Sequence, residues 1–234
     1  MTWGDDLAAW WLGEVAGDPA YLEQVIPMAC AVVDPVAGER WLDMGCGEGQ
    51  TMRALSAKGA SVVGCDVSLT LARRAGVDGP AVVARLPDLD WLRDDSLDGA
   101  YAVLVLEHLG EVRPLFEACQ RVVRPGGGLA AVLNHPMMTA PGSAPVFDAD
   151  DGEILWRWGD YLGSGATSEP AAEGEVTFHH RSMGALLNAA AGAGWSLQQV
   201  VEAGVGDAQA GRDPLLALQR GIPRLLGLRW QRRA

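Results

Sequence analysis

A short segment rich in glycine and acidic residues has the composition of a ligand-binding turn. Residues 43–49 read Asp-Met-Gly-Cys-Gly-Glu-Gly, follow a short apolar run and open a helical pattern. Glycines permit a close approach of the backbone to a ligand, and the first turn of a helix offers free N–H groups. Asp66 lies 23 residues after Asp43, at the end of the next apolar run. A carboxylate there can accept hydrogen bonds from both hydroxyls of a ribose, so the pattern predicts a nucleoside-bearing ligand.

The glycine spacing differs from that of a dinucleotide site. Dinucleotide-binding turns read GxGxxG, whereas Gly45, Gly47 and Gly49 form GxGxG. A dehydrogenase-like site and a purely structural turn are the alternatives to the nucleoside site.

Histidines follow two of the predicted strands and open a later helix. Glu107-His108 ends the fourth strand, His135 ends the fifth, and His180 precedes the helix. Ligands of open α/β sheets bind beyond the carboxyl ends of the strands, and imidazole titrates near neutrality as a general base should. We predict His135 first, then His108 and His180, as candidate catalytic residues. Each histidine also has a structural alternative. His135 would anchor a loop, His108 would have a structural or cofactor-side role, and His180 would support the insertion.

From Arg40 onward, short apolar runs alternate with amphipathic stretches, which is typical of a parallel sheet with helices on both faces. Residues 1–38 are predicted as an N-terminal helical cap, kinked or split at Pro27. The predicted strands are 40–44, 61–65, 81–84, 99–106, 129–133, 197–202 and 224–230, and the helices after the cap are 50–57, 69–75, 112–123, 183–193 and 215–219.

Residues 136–178 break this alternation and are rich in Pro, Gly, Asp and Trp. A segment this long within a compact domain is functional, disordered or contains undetected elements, and we interpret it as a lid-like insertion after strand five. Its aromatic stretch 156–161 either clamps a substrate or packs the lid onto the domain. Its acidic stretch 148–153 lacks histidine or cysteine spacing, so a solvated loop is favoured over a metal site.

The composition limits which kinds of binding partner the protein can have. The formal net charge is −12, which disfavours nucleic acid and favours a neutral or cationic small molecule. The longest apolar runs, such as 100–106, are too short to span a bilayer. The start MTWGDDLAAWW lacks the basic and apolar regions of a signal peptide. We therefore expect a cytoplasmic protein that does not enter membranes, with reduced cysteines and no metal; the oligomeric state stays open.

The segment WLDMGCGEGQ (41–50) resembles motif I of class I methyltransferases, whose cofactor is S-adenosylmethionine. VVGCDVS (62–68) resembles their second motif, and SLDGAYAVLVLEHL (96–109) resembles the fourth-strand motif of the methyltransferase type 11 group. LFEACQRVVRPGGGLAAV (115–132) and the C-terminal segments from residue 179 resemble later parts of that group. The resemblance covers nearly the whole chain. It implies an α/β, Rossmann-like single domain whose seven-stranded, mostly parallel sheet has an antiparallel last strand.

The resemblance also implies residues of the cofactor site. Asp66 would bind the ribose hydroxyls, Asp43 would lie near the methionine amino group, and Val67 would lie against the adenine. Many relatives carry an acidic residue near the adenine, where this chain has Arg85 or Leu86 with Asp88 nearby. The implied cofactor-binding residues are Asp43, Gly45, Cys46, Gly47, Asp66, Val67, Leu86, Asp88 and Val103.

We therefore expect an S-adenosylmethionine-dependent methyltransferase that acts on a small organic acceptor, such as a secondary metabolite, at oxygen, nitrogen or carbon. The alternatives are a tRNA or protein methyltransferase and a non-catalytic cofactor-binding domain. The end of strand four lacks the Asn/Asp-Pro-Pro-aromatic signature that resembles amino-group methyltransferases of nucleobases or glutamine. Its absence weakens the nucleic-acid alternative.

Overall fold

The first part of the chain is helical, as predicted. Pro27 lies in the first turn of the second α-helix, directly after a π-helical turn over Tyr21–Val25, so the helical geometry changes next to the proline. The structure, a computed structural model, describes residues 4–15, 17–171 and 174–233, so the predicted cap lies outside the described residues at 1–3 and 16. Its elements are α1 (Asp5–Trp10), π-helical turns over Trp11–Val15 and Tyr21–Val25, and α2 (Ile26–Val33).

The predicted strand-helix alternation follows. Strand four ends at Val103, earlier than predicted, and Leu106 belongs to a short 3₁₀ turn over Leu106–His108. Strand five begins at Val123, earlier than predicted, because the glycine-rich turn joins the strand. These elements are β1 (Arg40–Met44), α3 (Gln50–Ser56), β2 (Ser61–Asp66), α4 (Leu69–Ala75), β3 (Ala81–Val83), β4 (Leu97–Val103), α5 (Arg113–Val122) and β5 (Val123–Asn134).

The insertion contains elements that the sequence analysis did not detect, one of the alternatives stated there: two antiparallel hairpins, the second of which ends at His180. Most residues of their strands are partly or fully exposed, and prolines stand within β6 and β8, so the hydrophobic alternation of buried strands is weak. Residues 172 and 173 of the predicted insertion lie outside the described residues. The elements are α6 (Pro136–Thr139), β6 (Ala144–Asp148), β7 (Glu153–Arg157), β8 (Gly165–Ala171) and β9 (Gly174–His180).

The C-terminal part restores the main sheet. A helix over 207–212 precedes the short helix that was predicted at 215–219 and that begins at Pro214. The elements are α7 (Met183–Gly192), β10 (Trp195–Ala203), α8 (Asp207–Arg212), α9 (Pro214–Ala217) and β11 (Leu225–Arg232).

Seven strands form the main sheet in the order β10-β11-β5-β4-β1-β2-β3. The pairs from β5 to β3 are parallel, whereas β11 lies antiparallel between β5 and β10. This arrangement confirms the predicted seven-stranded, mostly parallel fold with an antiparallel last strand. The β1–β4 register pairs Asp43 with Tyr101, so the ends of these strands meet at one sheet edge.

The sheet separates two apolar clusters. One includes Phe116 of α5 and Leu186 of α7, and the other includes Val32 of α2 and Leu55 of α3. Within the described part of the chain, no helix is long and apolar enough to cross a bilayer.

Candidate functional site

A cavity of about 350 Å³ lies beyond the carboxyl ends of β1, β2 and β4. Small-molecule sites typically measure roughly 300–1,000 Å³, so the cavity is large enough for a small-molecule ligand. Most of the predicted cofactor-binding residues line it. They are Gly45, Cys46, Gly47, Asp66, Val67, Leu86 and Val103.

The glycine-rich turn needs its first glycine for two reasons. Gly45 has a φ of 77°, a conformation that L side chains rarely adopt. A Cβ at this position would also lie 2.5 Å from Cγ2 of Val105. The backbone N–H groups of Gly45 and Cys46 both donate to the carbonyl of Cys65, at 2.8 and 2.9 Å. The turn is therefore held against the end of β2 by its own backbone.

Asp66 connects this turn to the loop after β2. Its Oδ2 accepts a hydrogen bond from the N–H of Gly47 at 3.0 Å, and its Oδ1 accepts one from the N–H of Ser68 at 2.8 Å. Burial raises the pKa of this carboxyl, and the backbone donors oppose that shift. A carboxylate has about four lone-pair positions, and Asp66 also lines the cavity. Its acceptor chemistry fits the two hydroxyls of a ribose.

Asp43 lies behind the cavity wall, not on it. The residue is 2% exposed, and its Oδ2 accepts a hydrogen bond of 2.8 Å from the hydroxyl of Tyr101. Burial raises the pKa of Asp43 to about 7. This placement argues against the predicted direct contact with the cofactor, because the side chain faces the neighbouring strand. The side chain of Asp43 thus joins the end of β1 to β4.

The stretch after β3 contributes apolar and basic groups to the cavity. Leu86 lines it as predicted, together with Arg85. Asp88 is exposed and outside the lining, and its Oδ1 accepts a hydrogen bond from the N–H of Asp90 at 3.0 Å. Leu86 therefore lies at the cavity and Asp88 lies outside its lining, and contact of Leu86 with the adenine stays a prediction.

His108 is the predicted catalytic candidate that lines the cavity. Its Nδ1 lies 3.1 Å from the carbonyl oxygen of Thr177 in β9. A carbonyl can only accept, so this bond requires the Nδ1–H tautomer, in which Nε2 carries the basic lone pair. Burial lowers the pKa of His108 below its ordinary value. The ring of Phe178 packs against it, with centroids 4.8 Å apart.

His135 and His180 are buried outside the cavity. Nε2 of His135 lies 2.8 Å from a carboxylate oxygen of Glu202, and its Nδ1 accepts from the N–H of Met137. Nε2 of His180 lies 2.9 Å from the carbonyl of Tyr161. Both rings bind elements of the insertion to the rest of the chain. Their placement fits the structural alternative and argues against the predicted catalytic roles.

The described residues of the N-terminal stretch, 5–15 and 17–25, are here called the N-terminal cover, and they contribute another wall. The indole Nε1 of Trp11 donates to Oε2 of Glu48 at 2.6 Å, and the ring of Tyr21 meets Trp11 edge-on at 5.9 Å. Trp11, Glu48 and Tyr21 all line the cavity. At the start of α1, Asp5 accepts hydrogen bonds from the hydroxyl of Ser68 and the N–H of Thr70. The cover is thus bonded to the loops after β1 and β2.

The surroundings of the cavity are acidic. Burial raises the pKa of Tyr21, and the carboxylates of Asp43, Glu48 and Glu107 add to that shift. Glu107 is 2% exposed, and burial raises its pKa to about 6. Carboxylates at and behind the wall favour a positively charged ligand.

Several lining residues were missed by the sequence analysis. Trp11 and Tyr21 were predicted only as part of a helical cap, and Thr177 only as part of the insertion. His179 lines the cavity whereas His180 does not. Successive side chains of a strand point to opposite faces, so recognising β9 would have separated these two histidines.

The match to known proteins agrees with this geometry. A family model described as a methyltransferase domain matches residues 42–131. The crystal structure of an S-adenosylmethionine-dependent methyltransferase from Mesorhizobium loti is similar, with a TM-score of 0.76 and 31% identity, covering 93% of this chain and 99% of that one.

Two curated relatives are named ubiquinone biosynthesis O-methyltransferase. The protein from Hahella chejuensis is 33% identical over 136 residues, 53% of this chain and 56% of its own. The protein from Paracidovorax citrulli is 32% identical over 129 residues, 50% of this chain and 53% of its own. The chain therefore spans about half the length of the curated relatives it matches.

These findings show that the chain belongs to the S-adenosylmethionine-dependent methyltransferases, and its family model is that of the type 11 group. The predicted family, fold class and cofactor are confirmed.

Proposed function

We propose that this protein transfers a methyl group from S-adenosylmethionine to a hydroxyl oxygen of a small organic acceptor, with His108 as the general base. The observation that carries the proposal is one cavity lined both by the glycine-rich turn with Asp66 and by His108. The name of the curated relatives, O-methyltransferase, supports oxygen as the acceptor atom. The cytoplasmic location predicted from the sequence stays a prediction.

The residues present fit the cofactor. Asp66 offers lone pairs for the ribose hydroxyls, the turn at Gly45 and Gly47 lets the backbone approach the ligand, and Leu86 offers an apolar surface near β3. The carboxylate of Glu48 at the wall favours its positive charge. When bound, S-adenosylmethionine supplies an electrophilic methyl group on a positively charged sulfur, which leaves as a neutral thioether.

His108 can take the proton that the acceptor hydroxyl must lose. In the Nδ1–H tautomer required by Thr177, Nε2 is the nitrogen that accepts it. Because burial lowers the pKa of His108, the ring is neutral at physiological pH and ready to act as a base. Trp11 and Tyr21 cover the cavity, which helps to exclude water from the acceptor.

The cavity's lining also limits the acceptor. Burial lowers the pKa of His108 and also that of His179, so both rings are neutral near pH 7. The nearby carboxylates disfavour an anionic acceptor. A small, uncharged hydroxyl compound fits these surroundings, and the net charge of −12 supports a small molecule over a nucleic acid.

Calorimetry with S-adenosylhomocysteine tests the cofactor site. The Asp66→Asn variant should bind at least about tenfold more weakly, since a lost hydrogen bond to a charged group is worth about 1.5–3 kcal/mol. Asp88→Asn is the matched control and should bind like the unaltered protein. No binding by the unaltered protein at millimolar ligand, or equal affinity of Asp66→Asn, would overturn the site.

Mass spectrometry of products tests the reaction. A panel of uncharged hydroxyl compounds and their amine counterparts, incubated with S-adenosylmethionine, should yield methyl ethers that are absent with His108→Gln. Methylated amines without any methyl ether would contradict oxygen as the acceptor atom, and cofactor binding without any product would contradict methyl transfer to this class.

A further inference from the structure

Arg181, directly after β9, binds the turn that carries His108. Its Nη1 donates to the carbonyl of Leu106 at 2.7 Å. Its Nη2 donates to the carbonyl of Leu109 and, at 3.1 Å, to the carbonyl of Gly110. One guanidinium therefore binds three carbonyls in the stretch 106–110, across 71 to 75 residues of sequence.

β9 contacts the same turn at two further points. The carbonyl of Thr177 accepts from Nδ1 of His108, and the ring of Phe178 packs on the imidazole. The carbonyl of Thr177 thus sets the tautomer of His108, and the ring of Phe178 sets the plane of the imidazole. Arg181 sets the position of the turn that carries His108. The three residues lie on one continuous stretch of chain, 177–181.

The chemistry of the contact calls for arginine. A guanidinium presents several N–H donors in a rigid plane, whereas a lysine ammonium is a compact charge on a flexible stem. Burial lowers the pKa of Arg181, and the carboxylate of Glu107 opposes that shift. Oε1 of Glu107 accepts from the backbone and side chain of Asn134, whereas its Oε2 is buried without a hydrogen-bond partner among the described residues.

We propose that Arg181 is a positioning residue of the active site: by binding the carbonyls of Leu106, Leu109 and Gly110, it holds His108 against Thr177 in the tautomer that makes Nε2 the base. This inference takes only the role of His108 from the proposed function. The state of the His108 ring can be read without an acceptor, so failure of methyl transfer and failure of this inference are distinguishable.

The test is ¹⁵N NMR of the histidine rings over a pH titration. In the unaltered protein, His108 should be the Nδ1–H tautomer with a pKa below its ordinary value of 6.5. Arg181→Lys keeps the charge but loses the planar donors, so the tautomers should mix and the pKa should rise towards 6.5. Among the residues that the structure describes, Glu169 and His179 are titratable neighbours that act on His108, and neither is altered by this substitution.

Arg113→Lys is the matched control, because Arg113 is exposed on α5 and pairs with Glu117; its His108 titration should be unchanged. If an acceptor is known, Arg181→Lys should lower kcat at least tenfold and leave the dissociation constant of S-adenosylhomocysteine within twofold. An Nε2–H tautomer in the unaltered protein, or an unchanged titration in Arg181→Lys, would overturn the inference. An Arg181→Lys variant that does not fold would also overturn it, because the guanidinium would then serve the fold as a whole.

Discussion

The indole of Trp11 donates a hydrogen bond of 2.6 Å to the carboxylate of Glu48. One partner belongs to the N-terminal cover and the other to the glycine-rich turn, 37 residues later. Both line the cavity, so the bond joins two of its walls.

Trp11→Phe should therefore weaken cofactor binding. The change keeps an aromatic ring but removes the donor to a charged acceptor, a bond worth about 1.5–3 kcal/mol. We expect roughly tenfold weaker binding of S-adenosylhomocysteine by calorimetry, with faster dissociation by stopped flow. Trp91→Phe, at a partly exposed site outside the cavity lining, serves as the control. Equal affinities of the two variants would show that the cover does not hold the ligand.

Gly45→Ala should lose more cofactor affinity and stability than Gly38→Ala. Both glycines have a positive φ, 77° and 88°, so alanine costs about 1 kcal/mol in conformation at either site. A Cβ at Gly45 meets Val105 at 2.5 Å, whereas one at Gly38 meets nothing within 4 Å. Urea denaturation and calorimetry on both variants isolate the steric part. Matching losses would mean that the turn adapts to a side chain.

The buried Asp43 predicts how stability depends on pH. Its folded pKa of about 7 lies above the ordinary value of 3.8, so the folded state holds a proton that the unfolded state releases. The free energy of unfolding should therefore fall as the pH rises from about 4 to about 7. Asp43→Asn, which can still accept from Tyr101, should flatten this slope in urea denaturation at pH 5 and 7. The same slope in both proteins would contradict a protonated Asp43.

His108→Gln and His135→Gln should fail in different ways. A lost general base lowers kcat by about 10²–10⁴, so His108→Gln should bind the cofactor and turn over slowly. In the unaltered protein, kcat should rise with pH through a pKa below 6.5, because the neutral ring is the base. His135→Gln should instead lose about 1–3 kcal/mol of stability, since the buried N–H of Met137 loses its acceptor and Glu202 loses its imidazole partner. Loss of turnover in a stable His135→Gln variant would restore the catalytic role predicted from the sequence.

The main sheet could be predicted because each of its strands is marked by a pattern in its own short stretch of sequence. β4 is buried at nearly every residue, and such runs stand out as continuous apolar segments between helices. The hairpins of the insertion lack this signal. β6 has three exposed residues of five, and Pro145 interrupts its pattern, so neither composition nor periodicity marks it as a strand.

The residues of the site also differ in whether a local sequence pattern predicts them. Gly45, Gly47 and Asp66 lie in one strand-turn-helix unit and the next strand end, so spacing alone places them together. The pairing of His108 with Thr177 joins residues 69 positions apart, through a strand that the sequence does not reveal. His135 was preferred because it follows β5 directly, but the direction of its ring depends on Glu202 in β10. No local pattern encodes that contact.

The stretch 177–181 has a consequence for protein engineering. Loop grafting is a natural way to give such a scaffold a new acceptor, and the insertion after β5 is the obvious cassette to exchange. Because residues 177–181 contact His108 and its turn, a graft that replaces the insertion through this stretch would discard the contacts that hold the proposed base along with the loops it exchanges. Splice points that keep residues 174–181 and exchange only the β6–β7 hairpin separate the two, so libraries with those boundaries should yield more active clones.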